Sequence, residues 1–105
     1  MYESKLKSHD MDRLFEAMLT MKTVEECYMF FEDLCTISEL NSIAQRFKVA
    51  QLLKDKHTCH DISTQTGAST ATISRVNRCL LYGTGGYGLA LKRLSGRTDE
   101  SKRTE

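Results

Sequence analysis

The sequence predicts an all-α domain of about six helices. Three observations predict it. Proline is absent, no alternation of apolar and polar residues is sustained over a strand's length, and apolar residues recur at helical spacing. At 105 residues the chain reads as one domain over residues 10–94, with an N-terminal arm at 1–9 and a flexible polar tail at 95–105. Apolar residues make up 40% and charged residues 28%, the balance of a soluble globular protein. A domain of this size buries only about two-thirds of its unfolded surface, so a second subunit would add stability.

Met11, Leu14, Phe15, Met18 and Leu19 form the apolar stripe of a first helix behind a Ser8 or Asp10 cap. Thr23-Val24-Glu25-Glu26 is a capping box that opens a second, with Val24, Cys27, Tyr28, Phe31 and Leu34 on its inner face. A second box, Thr36-Ile37-Ser38-Glu39, opens the longest helix, with Leu40, Ile43, Ala44, Phe47, Ala50 and Leu53 along one side. Val49 and Leu52 widen that surface, and a helix apolar around much of its girth is buried on two sides. In so short a chain the second side points to another subunit. Thr58 and Asp61 cap a short helix that Gly67 ends, and Ser69 or Thr70 caps a further helix to about Leu81. The glycine-rich Gly83–Gly88 run lacks the preceding strand and the spacing of a phosphate-cradling loop. It reads as a connection into a last short helix carrying Leu89, Ala90, Leu91 and Leu94.

Charge is divided along the chain. Residues 1–55 carry seven Lys/Arg and ten Asp/Glu, a net of −3; residues 56–105 carry eight and four, a net of +4. No Asp or Glu occurs from 62 to 98, which suits contact with a polyanion. No apolar run approaches the roughly 20 residues of a bilayer span, and no signal peptide opens the chain. We therefore expect no membrane partner and a cytoplasmic location. Cys27, Cys35, Cys59 and Cys79 sit singly and read as reduced thiols. His57, Cys59 and His60 lack a second ligand pair at finger spacing, so no metal is expected. No cofactor is expected, and no nucleophile–base pair is recognisable, so the chain does not read as an enzyme.

Residues 58–81 carry the functional signal. Ile62, Ala68, Ile73 and Val76 fall at the inward positions of a helix-turn-helix, and Ser63 is small where its two helices approach. Thr70, Ala71, Thr72, Ser74, Arg75 and Arg78 are left on outer or end positions. Small residues at the start of the second helix let it enter a major groove of about 12 Å. Hydroxyls there can reach phosphates or base edges, the Ala71 methyl can meet a thymine methyl, and an arginine can grip guanine or phosphate.

Gly67-Ala-Ser-Thr-Ala-Thr-Ile-Ser-Arg75 resembles the recognition-helix signature Gly-Ala-x-x-Ala-Thr-Ile-[Ser/Thr]-Arg of the Trp repressor superfamily. Val76-Asn-Arg-Cys-Leu-Leu-Tyr-Gly-Thr-Gly-Gly-Tyr87 resembles its TrpR-related subgroup of small Gram-positive proteins (YerC/YecD type), and Ala44–Leu53 fits too. The resemblance implies an intertwined all-α homodimer. Two recognition helices would then enter successive major grooves of double-stranded DNA, about 34 Å apart on a pseudo-palindromic operator. In a bacterial cell such a protein would be nucleoid-associated. The groove-facing family positions fall on Thr70, Ala71, Thr72 and Ser74, with His60 and Ser63 nearer the backbone. Together with Ser69, Arg75 and Arg78 these are the candidate DNA-binding residues.

In tryptophan-regulated members an arginine at the position of Arg75 flanks the indole ring, and a second arginine on the long helix binds the carboxylate. Here Gln45 falls at that second position and Arg46 one residue away, a turn of about 100° on a helix. Val76 stands where those members have glycine. Gln45, Arg46 and Arg75 are thus the candidate ligand-binding residues, and tight tryptophan binding is not expected. The leading expectation is a sequence-specific transcriptional regulator. The alternative is a helical dimerisation or adaptor module that binds protein, for which the modest overall charge speaks.

Overall fold

The computed structural model describes residues 2–104. Six helices are present: α1 (His9–Leu19), α2 (Val24–Leu34), α3 (Ile37–Lys54), α4 (Cys59–Thr66), α5 (Thr70–Tyr82) and α6 (Gly86–Thr104), with no strand among the described residues. The all-α expectation holds. The chain divides into two compact units, residues 1–40 and 41–105.

Local hydrogen bonds cap the helices of the first unit. Ser8 caps α1, its hydroxyl oxygen accepting the Met11 N–H at 3.0 Å, while Lys7 pairs with Asp12 at 2.6 Å. Thr23 caps α2 by accepting the Glu26 N–H at 3.0 Å. The Glu26 carboxylate reaches one residue beyond the expected box, to the Lys22 N–H at 2.8 Å. Thr36 and Glu39 complete the reciprocal box at the start of α3: the Glu39 N–H donates to the Thr36 hydroxyl at 3.1 Å, and the Thr36 N–H to the Glu39 carboxylate at 2.8 Å. No residue of α1 or α2 is buried. Apolar residues stand open instead: Leu19 is 84% exposed, Val24 72% and Tyr28 65%. Of the inner face expected of α2, Phe31 is half-buried, and Val24, Cys27, Tyr28 and Leu34 are exposed.

The second unit holds the core. Val49, Ala50 and Leu52 of α3 cluster with Ile62 of α4, Ala68 in the turn, Ile73 and Val76 of α5, and Leu91 of α6. Phe47, Leu53, Leu80 and Tyr87 pack against that cluster from the side. Of the apolar side expected on α3, Ile43 and Ala44 remain exposed, and the buried set shifts toward Val49 and Leu52. The helix ends in a Schellman turn, with the His57 N–H on the Leu52 carbonyl and the Lys56 N–H on that of Leu53. Lys56 takes the left-handed conformation, φ 69°, in place of the usual glycine.

The last helix continues past Leu94 to Thr104, where the sequence reading puts a flexible tail over 95–105. No proline breaks that stretch, so backbone pairing can run on. Glu105 lies outside the described residues.

Candidate nucleic-acid interface

α4, the turn and α5 form a helix-turn-helix whose inner face is sealed. Ile62, Ala68, Ile73 and Val76 are 0%, 2%, 3% and 1% exposed, as the apolar spacing predicts. Thr58 caps α4, its hydroxyl oxygen accepting the Asp61 N–H at 3.1 Å. Gly67 ends it in the left-handed conformation, φ 73°, with its N–H on the Ser63 carbonyl at 2.9 Å. A Cβ at Gly67 would meet nothing within 4 Å, so the backbone angle rather than lack of room calls for glycine.

Thr66 pins the turn, a role the sequence reading missed. Its hydroxyl donates to the Ile62 carbonyl at 2.7 Å and accepts the Ala68 N–H at 3.1 Å. A threonine one position before the helix-ending glycine was the available signal, because its hydroxyl can bond back by one turn. The Thr66 carbonyl accepts the Gln45 side-chain N–H of α3 at 3.1 Å. The Gln45 amide is thus tied to the end of α4.

The outward face of α5 is open. Thr70, Ala71, Ser74, Arg75 and Arg78 are exposed, and so are His60 and Ser63 on α4. Ala71, Ser74, Arg75 and Arg78 follow i, i+3, i+4 and i+7, which brings them onto one side of the helix. Thr72 is half-buried. Ser69 is the cap of α5, so at least part of its hydroxyl chemistry is spent on the helix itself. No acidic residue stands in the first turn of α5, and the amides there present the positive end of the helix dipole. Arg75 and Arg78 form no ion pair among the described residues. Arg46 is half-buried on α3. The geometry therefore assembles hydroxyls, a methyl and two guanidinium groups on a rigid rod, an arrangement able to contact phosphates and base edges.

Known proteins share this sequence and fold. The family model for the Trp repressor protein matches residues 9–95. The uncharacterized protein YerC of Bacillus subtilis (strain 168) is 54% identical over 97 residues, which are 92% of this chain and 93% of that one. Two crystal structures superpose with a TM-score of 0.84. One is of a candidate Trp repressor from Staphylococcus aureus, 47% identical, covering 87% of this chain and 91% of its own. The other is of a TrpR-like protein from Eubacterium eligens, 53% identical, covering 87% and 94%. With the family model spanning most of the chain and the helix-turn-helix intact, this protein belongs to the Trp repressor family of DNA-binding regulators.

Proposed function

We propose that the protein binds duplex DNA sequence-specifically as a homodimer, with α5 of each subunit in the major groove, and regulates transcription. The observation that carries this reading is the two-faced character of α5. Ile73 and Val76 anchor one side in the core, while Ala71, Ser74, Arg75 and Arg78 stand free on the other, in a stretch without a single carboxylate. A helix so held can be pushed against a polyanion without deforming. Thr70, Ala71, Thr72 and Ser74 would face base edges, and His60, Ser63, Ser69 and Arg78 would serve phosphates. Arg75 would reach either.

Dimerisation is supported by the first unit. Two helices that bury nothing and expose Leu19, Val24, Tyr28 and Met29 need a cover, and a second copy supplies matching surface by symmetry. No helix among the described residues is long and apolar enough to cross a membrane. The expected place of action is the cytoplasm, on the nucleoid.

Two side chains at the positions that the family resemblance gives to tryptophan speak against tight binding. Gln45 is neutral and already bonded to the Thr66 carbonyl, so it offers no charged hydrogen bond to a carboxylate. The Val76 side chain fills the core at 1% exposure, where an indole would need room. The reading is therefore of a regulator without tight tryptophan binding.

Titrating labelled duplex at increasing salt tests the DNA-binding claim. Several phosphate contacts per dimer make log affinity fall linearly with log salt, with slope about −0.9 per phosphate neutralised. Affinity that is independent of salt, or none at low salt, contradicts it.

A further inference from the structure

Side-chain bonds such as Ser8 to Met11 and Lys7 to Asp12 stay within five positions, but one bond of α3 reaches much further. Gln45 Nε2 donates to the Thr66 carbonyl across 21 positions, in a half-buried place. Its acceptor is special as well. Thr66 closes α4, where backbone carbonyls lack a partner inside the helix, and it directly precedes the left-handed Gly67 at which the chain turns into α5. The donor stands one turn before Val49, which is fully buried, so its own helix is anchored. Thr66 meanwhile holds Ala68 and Ile62 through its hydroxyl. One side chain of α3 therefore grips the corner where the two helices of the helix-turn-helix meet.

We propose that Gln45 is a positioning residue for the reading head: its amide fixes the angle at which α4 and α5 leave α3, and so sets how well α5 matches its chosen site. Apolar packing through Ile62, Ile73 and Val76 permits sliding and small rotations, because it is not directional. A hydrogen bond at the corner is directional and removes that freedom. The effect falls on specific recognition, which needs side chains aligned with base edges, and spares phosphate-driven binding, which tolerates misalignment. The proposal rests on the DNA-binding reading above.

The test uses the full-length protein and two variants. Gln45→Met keeps length and apolar stem but has no donor. Gln45→His regains an Nε2–H at the same number of bonds from Cα, without charge at pH 8. Each is titrated against a site selected from random duplex by the unsubstituted protein, and against random duplex itself. Amide hydrogen exchange at Gly67 and Ala68 is followed in the free proteins. The expected result is about a tenfold loss for Gln45→Met on the selected site, the size of one neutral hydrogen bond in each subunit. Random-duplex affinity stays unchanged, exchange at the turn quickens, and Gln45→His recovers most of the loss. Unchanged selected-site affinity in Gln45→Met, or an equal loss on both duplexes, overturns the proposal. If the unsubstituted protein binds no duplex, the DNA-binding reading falls. The exchange data then decide the positioning claim: faster exchange in Gln45→Met upholds the grip on the turn, and unchanged exchange overturns it.

Discussion

Ser69 and Thr72 hold each other twice at the start of α5: the Ser69 hydroxyl oxygen accepts the Thr72 N–H at 3.1 Å, and the Ser69 hydroxyl donates to Thr72 Oγ1 at 3.1 Å. The first residues of the reading helix are thus ordered before any nucleic acid arrives. Ser69→Ala removes both bonds and should cost about 1 kcal/mol, which lowers the thermal midpoint by roughly 4–8 °C in a domain of this size. Ser69→Asp keeps a cap and suits the helix dipole, but places a negative charge against phosphate. Near-normal stability with weakened DNA binding is expected for it, read by calorimetry and duplex titration.

Core and surface should separate cleanly. Ile62, fully buried between α3, α4 and α5, loses about 2–5 kcal/mol on change to Ala through lost burial and a cavity. Arg75→Ala and Arg78→Ala, on exposed positions, should move stability by less than about 0.5 kcal/mol while lowering DNA affinity and flattening its salt slope. Chemical denaturation and salt-dependent titration read the two effects. Arginine variants that keep full affinity favour an adaptor that binds protein.

These contrasts also indicate what a sequence can disclose. Ile62, Ala68, Ile73 and Val76 were legible because their spacing admits one inward face, and Gly67 because a sharp turn needs a left-handed residue. The caps at Thr23 and Thr58 were legible since each bond spans three residues, and the structure selects Ser8 over Asp10 and Ser69 over Thr70. The Gln45 bond was hidden, because its partner is a backbone carbonyl 21 positions away and any residue would supply one. Glu26 reaching Lys22 rather than Thr23 depends on a rotamer, which residue type does not specify. α6 runs further than the short helix expected there, because a polar composition without proline is as compatible with helix as with tail.

Acid should weaken the start of α3 through one named group. The Thr36 backbone N–H, and after it the Thr36 hydroxyl, hold the Glu39 carboxyl below its ordinary value. A group depressed in the folded state stabilises it above the ordinary carboxylate range, and that contribution is lost as pH falls through the lower folded value. Thermal midpoints measured from neutral pH down to about pH 3 should fall less for Glu39→Gln than for the unsubstituted protein. Parallel curves would show that Glu39 contributes nothing pH-dependent.

Tryptophan in large excess should leave the thermal midpoint unchanged, because a ligand raises it only by binding the folded state. A rise of several degrees would mean that the Gln45–Thr66 bond yields to a carboxylate and that the space beside Val76 opens.

Selection of bound fragments from a random duplex pool decides whether two copies of α5 read DNA as a symmetric pair. An enriched inverted repeat is expected, with half-site centres about one helical turn, roughly 34 Å, apart, because two copies of α5 related by a two-fold axis read it together. Recovery of unenriched sequence, or of a single asymmetric site bound by one subunit, would contradict it.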